Sequence, residues 1–179
     1  MLGYDSGTCR VERSAVLPSN ALTPELAQAL LSAAAPGEKV EAHCRAVASE
    51  ALRIADALPV KLDRDLLESA ALLHDVARGE KDHARLGAAW LRELGYPEAA
   101  ALVERHHDLH SAEPDEAAVL YLADKCVREN QRVPLEERFA ESARRCTTPE
   151  AVAAHARRRE TAIRLRDQVN ALCGRVLVE

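Results

Sequence analysis

Apolar residues recur at helical spacing through most of the chain, and Thr, Pro and Gly punctuate the runs. Thr23-Pro24-Glu25 opens a first helix, with Thr as N-cap and Pro at the first helical position. Pro36-Gly37 ends it. Residues 38–58 place Val40, Val47, Ala51, Ile54 and Leu58 near one face, and Pro59 closes that helix. Asp63 caps the next, which runs to about Val76 with Leu66, Leu67, Ala70, Leu73 and Ala77 as its stripe. Gly79 breaks the chain. Further helices are predicted at about 81–94, 97–109, 114–130 and 134–145. Thr148-Pro149-Glu150 repeats the start signal, and the last helix reaches Cys173-Gly174. Residues 1–20 show no period and read as an extended arm or linker, such as a join to another domain. Residues 21–179 read as one domain of seven or eight helices.

Composition supports an all-α fold. Of 179 residues only 7 are Gly and 3% are aromatic, whereas a sandwich or barrel draws on more of both. The net charge is −5, which argues against a nucleic-acid polymer as partner but leaves room for a small anion held by a local Arg cluster. Five Cys without a CxxC pair read as reduced thiols, hence a cytoplasmic protein. No membrane span or signal peptide is expected.

The candidate chemistry lies in His and Asp. His74-Asp75 ends the apolar run AALLHD, and Asp124 sits in the apolar segment VLYLADKCV. A carboxylate carried into a core is costly unless it is paired or bound to metal. His43 lies among Val40 and Val47. Imidazole and carboxylate suit Zn, Fe and Mn, so His43, His74, Asp75 and Asp124, from three helices, could converge on one ion. His83 and the pair His106-His107 are further nitrogen ligands, and with them a second ion could share Asp75 as a bridge. His155, among Ala and Arg, reads as part of a solvated face, and His110 is ambiguous.

The order His43, His74-Asp75, Asp124 resembles the HD superfamily of metal-dependent phosphohydrolases, an all-helical fold. The stretches HARLGAA at 83–89, RHH at 105–107 and VLYLADK at 119–125 resemble the YqeK-like group within it. That group hydrolyses diadenosine tetraphosphate and binds a di-iron centre. The resemblance implies His43, His74, Asp75, His83, His107 and Asp124 as metal ligands. His106 stands where that group usually has Tyr; in HD-GYP relatives a tandem His-His supplies two ligands. The chain also resembles HD domains joined to nucleotidyltransferase-like domains of molybdenum-cofactor enzymes.

These readings imply cleavage of a phosphate ester or anhydride of a nucleotide-like substrate by metal-activated hydroxide. Two divalent ions are expected, iron first, with Mn, Zn, Co or Ni as alternatives. Asp75, Arg78 and Lys81 are the catalytic candidates, and Arg78, Lys81, Arg105 and Lys125 the candidates for holding phosphate. A homodimer is compatible with the sequence. The alternative is a non-catalytic metal- and nucleotide-binding sensor or accessory subunit, with the Arg-rich stretch at 153–159 as a partner surface.

Overall fold

The computed structural model describes residues 21–109 and 113–179. The expected arm at 1–20 and His110 lie outside the described residues. Eight helices are present among them: α1 (Pro24–Ala34), α2 (Glu38–Ala57), α3 (Arg64–Leu73), α4 (His83–Glu93), α5 (Pro97–Arg105), α6 (Glu116–Lys125), α7 (Leu135–Ala143) and α8 (Pro149–Cys173). The start signals act as caps. Thr23, Asp63, Asp115 and Thr148 each accept a hydrogen bond from the backbone N–H three residues on. Such caps contribute ~0.5–2 kcal/mol each by satisfying donors that no carbonyl can reach.

Helix α6 is apolar around nearly its whole circumference, and all residues from Ala117 to Lys125 are buried. A helix without a polar face belongs in the centre of a bundle. Accordingly α6 packs on α2, α3, α5 and α8, while α3 lies among α1, α2, α5 and α6. The central helices therefore carry their chain-terminal residues, His74-Asp75 after α3 and Asp124 at the end of α6, into the interior. Helix α4 pairs closely with α5. Gly87 lets α4 lie close to the segment after α3, since a Cβ there would stand 3.2 Å from a Val76 methyl.

One element departs from the sequence reading, which continued a helix to Asn130. Helix α6 stops at Lys125, and a short antiparallel ladder follows, β1 (Val127–Arg128) with β2 (Gln131–Arg132). Glu129 turns the chain at φ +55°, and the Val133 N–H closes the hairpin on the Cys126 carbonyl at 2.8 Å. Pro134, which cannot donate to a continuing helix, starts α7 instead. A second correction concerns His155. It is half-buried, its Nε2 lies 2.8 Å from the Ser142 hydroxyl, and its ring packs edge-on against Phe139. The neighbouring arginines are likewise engaged: Arg158 grips Asp108 through two bonds of 2.9 Å, and Arg159 pairs with Glu136 at 2.7 Å.

The C-terminal tail is tied down by Arg53, which donates to the Leu177 carbonyl at 3.1 Å, by the Leu135 N–H on the Glu179 carbonyl at 2.9 Å, and above all by Asn170. Asn170 donates to the Val178 carbonyl at 2.8 Å and accepts from the Leu177 and Val178 N–H groups at 2.8 and 2.9 Å. Asn170→Ala removes all three bonds and should cost about 2 kcal/mol, or a melting temperature lower by roughly 4–8 °C for a chain of this size. Calorimetry checks this; an unchanged midpoint would mean that the three Asn170 bonds contribute nothing to holding the tail. Cys44, Cys126, Cys146 and Cys173 are free thiols, and no helix among the described residues is long and apolar enough to cross a membrane.

Candidate metal centre

Three imidazoles are anchored in the same way. His74, just past α3, places Nδ1 2.7 Å from the Ala71 carbonyl; His106, just past α5, places Nδ1 2.6 Å from the Val103 carbonyl. His43, on α2, places Nδ1 2.7 Å from the carbonyl of Glu129 at the hairpin turn. A carbonyl oxygen can only accept, so each Nδ1 carries the proton and each Nε2 is turned to the interior. This backbone anchoring is the outer-sphere arrangement that orients metal-binding histidines.

The inward nitrogens converge on two carboxylates. His43 Nε2 and His74 Nε2 lie 3.2 and 3.6 Å from Asp124 Oδ1 and 3.8 and 3.6 Å from Asp75 Oδ2. On the other side, Asp75 Oδ1 lies 3.0 Å from His83 Nε2 and 3.7 Å from His106 Nε2, and His107 Nε2 faces His83 Nε2 at 2.9 Å. Asp75 thus divides its oxygens between two groups, His43, His74 and Asp124 on one side and His83, His106 and His107 on the other. All seven sequence candidates for metal are brought together. His106 lies deepest of its group, at 1% exposure.

The residues fit divalent metal. His74 Nε2 and His106 Nε2 are buried and have no hydrogen-bond partner among the described residues. Such orphaned acceptors are costly, and coordination satisfies them. Atoms bound ~2.0–2.2 Å from a shared ion stand roughly 2.8–3.6 Å apart, close to the spacings within each group. Electrostatics points the same way. Burial holds the His106 imidazole low, and burial, with the Lys125 ammonium nearby, pushes His107 down to about 2, so both offer neutral nitrogen. Burial would raise Asp75 and Asp124. It is outweighed at Asp75 chiefly by His74, and at Asp124 chiefly by Lys125, so both carboxyls stay well below their ordinary range. Burial would also lower His74, but Asp75, Cys44 and Asp124 raise it well above its usual value; the carboxylates thus call for positive charge at this point, which a divalent ion on Nε2 would supply in place of a proton.

The candidate phosphate-binding residues are placed unequally. Arg78 sits at the rim of the centre, its guanidinium 2.6 Å from Asp75 Oδ2 and 48% exposed. Lys125 is buried, with its ammonium 2.6 Å from Asp124 Oδ2, 3.3 Å from the His106 carbonyl and above the Tyr121 ring. That ammonium holds Asp124 in place and does not face solvent. Lys81 and Arg105 are exposed and line neither of the two clefts that reach the centre. Sequence reasoning missed Lys39, Arg128, Arg138 and Arg145, which line the cleft against His43 and Asp75. The spacing of Arg138, Glu141 and Arg145 along one helical face was the available signal.

The family model described as HD domain matches residues 40–129, half of the chain. The chain belongs to the HD-domain family. It shares that family's all-helical fold and its place in a superfamily of metal-dependent phosphohydrolases. Among curated proteins, an uncharacterized protein of Methanocaldococcus jannaschii, MJ0778, is 36% identical over 94 residues. The aligned part is 49% of this chain and 56% of that protein, so the chain spans about half the length of the relative it matches. No solved structure matches the chain.

Proposed function

We propose that this HD domain hydrolyses a phosphate ester or anhydride of a nucleotide-like substrate, using two divalent ions that share Asp75. The observation that carries the reading is the set of three backbone-anchored imidazoles whose Nε2 atoms close on Asp75 and Asp124. His43, His74 and Asp124 would hold one ion and His83, His106 and His107 the other, iron first among Fe, Mn, Zn, Co and Ni. Ions held there would activate water and neutralise phosphate charge.

The protein's own groups supply the rest. The carbonyls of Ala71, Val103 and Glu129 fix the tautomer and orientation of three imidazoles. Lys125 takes Asp124 Oδ2 and leaves Oδ1 for His43 and His74. Arg78, half in solvent on a flexible stem, can exchange Asp75 for an incoming phosphoryl oxygen, where a guanidinium matches the developing charge. The two-sided grouping around Asp75 favours the YqeK-like lineage, in which two irons are bound, over a domain with one ion. The open cleft at His43 and Asp75 favours turnover over a purely accessory role.

The test is phosphate release from a panel of nucleoside mono-, di- and oligophosphates, with the protein stripped and then reloaded with Fe, Mn or Co. Release is expected only after reloading. Full metal occupancy with no release from any substrate would overturn catalysis and leave the sensor or accessory reading.

A further inference from the structure

The two clefts that reach the centre differ in charge. The cationic cleft, against His43 and Asp75, has five cations on its walls and three carboxylates, one of which, Asp75, is turned into the centre. The cleft against His83 and His107, of about 400 Å³, has the three acids Asp82, Glu104 and Asp108 and the two cations Arg85 and Arg158. Arg158 and Asp108 neutralise each other through two bonds of 2.9 Å, and Glu104 is paired with Arg92. A divalent cation is therefore repelled at the first opening and not at the second.

Asp82 is the acid of the second cleft that carries no ion pair among the described residues. It is exposed, and it stands at the N-cap of α4 without using its carboxylate to cap the helix. Its backbone lies in the left-handed region at φ +57°, where its carbonyl accepts from the Arg85 and Leu86 N–H groups at 2.9 and 3.1 Å. Glycine would take this turn with less strain. Asp82 brings a carboxylate to the cleft instead, one residue before His83.

The cleft also opens on the more accessible half of the centre. His83 and His107 line it and are half-buried, whereas His74 and Asp124, in the other group, are closed off. Behind them, His106 Nε2 is buried without a hydrogen-bond partner among the described residues and is turned toward Asp75 Oδ1. A free carboxylate at the opening, two imidazoles on the wall and an orphaned nitrogen at the base form a graded series of cation-binding atoms.

We infer that this cleft is the route by which divalent cations reach the centre, and that Asp82 receives them before His83 and His107. The inference rests on the two-ion reading above. Arg85, on the same wall, opposes entry. Ions and an anionic substrate then use separate openings.

Uptake is measured without turnover. Metal-stripped protein, its helical circular dichroism checked first, is mixed rapidly with Co²⁺ alone, and binding is followed by the visible absorption of the cobalt. Asp82→Asn should slow uptake about threefold or more at low ionic strength, and Arg85→Ala should speed it, because the two remove opposite charges from one wall. Both effects should shrink in about 0.5 M salt, which screens exposed charges within a few ångströms. Lys39→Ala, in the cationic cleft, should take up ions at the wild-type rate. Asparagine tolerates the left-handed region, so Asp82→Asn keeps its turn. Final metal content, by elemental analysis, should be about two ions per chain in every variant. Wild-type rates in both Asp82→Asn and Arg85→Ala, or faster uptake in Lys39→Ala, overturn the entry route. An ion missing at equilibrium from Asp82→Asn would make Asp82 a ligand and overturn its role on the route. A single ion per chain in the wild type would overturn the two-ion reading itself.

Discussion

Asp75→Asn is expected to abolish phosphate release while the helical circular dichroism stays at its wild-type level. The amide matches the carboxylate in size, so the fully buried Leu73 and the neighbouring Val76 keep their packing. It does not match its charge. In the native protein Oδ2 faces His43, His74 and Arg78, and Oδ1 faces His83 and His106. A group that serves both sides takes both down together. Loss of an outer partner alone costs ~10–100-fold, so loss of the shared carboxylate should cost on the order of 10³-fold or more in turnover. His83→Ala is the one-sided contrast. His83 is half-buried at the start of α4, whose buried stripe of Ala84, Ala88 and Leu91 is left intact, so the fold should survive with one group disabled. An Asp75→Asn protein with wild-type turnover would remove Asp75 from the chemistry.

Lys125→Met should be strongly destabilising. Lys125 and Asp124 form a buried pair, their side chains 10% and 7% exposed, with 2.6 Å between Nζ and Oδ2. Methionine fills the space of the stem but leaves Asp124 without its cation. Breaking such a pair costs ~3–5 kcal/mol, and His43 and His74 remaining on Oδ1 place the expected loss near the lower end. For a chain of this length about 3 kcal/mol lowers the melting temperature by roughly 6–12 °C. Added Mn should recover part of the loss, because an ion beside Asp124 replaces the missing charge. Thermal unfolding of the stripped and reloaded variant measures both; a midpoint within about 2 °C of wild type would show that the pair contributes little.

The sequence is most informative where local chemistry decides the structure. Thr23-Pro24 and Thr148-Pro149 start helices because a side-chain oxygen and a preset φ suit a first turn whatever lies around it. The apolar runs before His74 and around Asp124 already require burial, and burial of such groups requires partners. The end of α6 was not legible. VREN is tolerable in a helix, and the stop at Lys125 follows from the Cys126–Val133 closure and from Pro134, which act together only in three dimensions. His43 could be read as a ligand, but its anchor could not, because the Glu129 carbonyl lies 86 residues away in sequence. The cationic cleft joins the first turn of α2 to α7 across nearly a hundred residues. Lys125 reads as an available cation in the string LADKC and becomes a buried support only once α6 is placed at the centre of the bundle. His106 and His107 adjoin in sequence, and only the turn after α5 brings both into one group.

The most direct test is the number of metal ions per chain, measured by elemental analysis on wild type, His83→Ala and Asp75→Asn after identical loading with iron or manganese. The two-sided arrangement around Asp75 predicts about two ions in the wild type, one in His83→Ala, and none or close to none in Asp75→Asn. Equal metal content in all three proteins would contradict it.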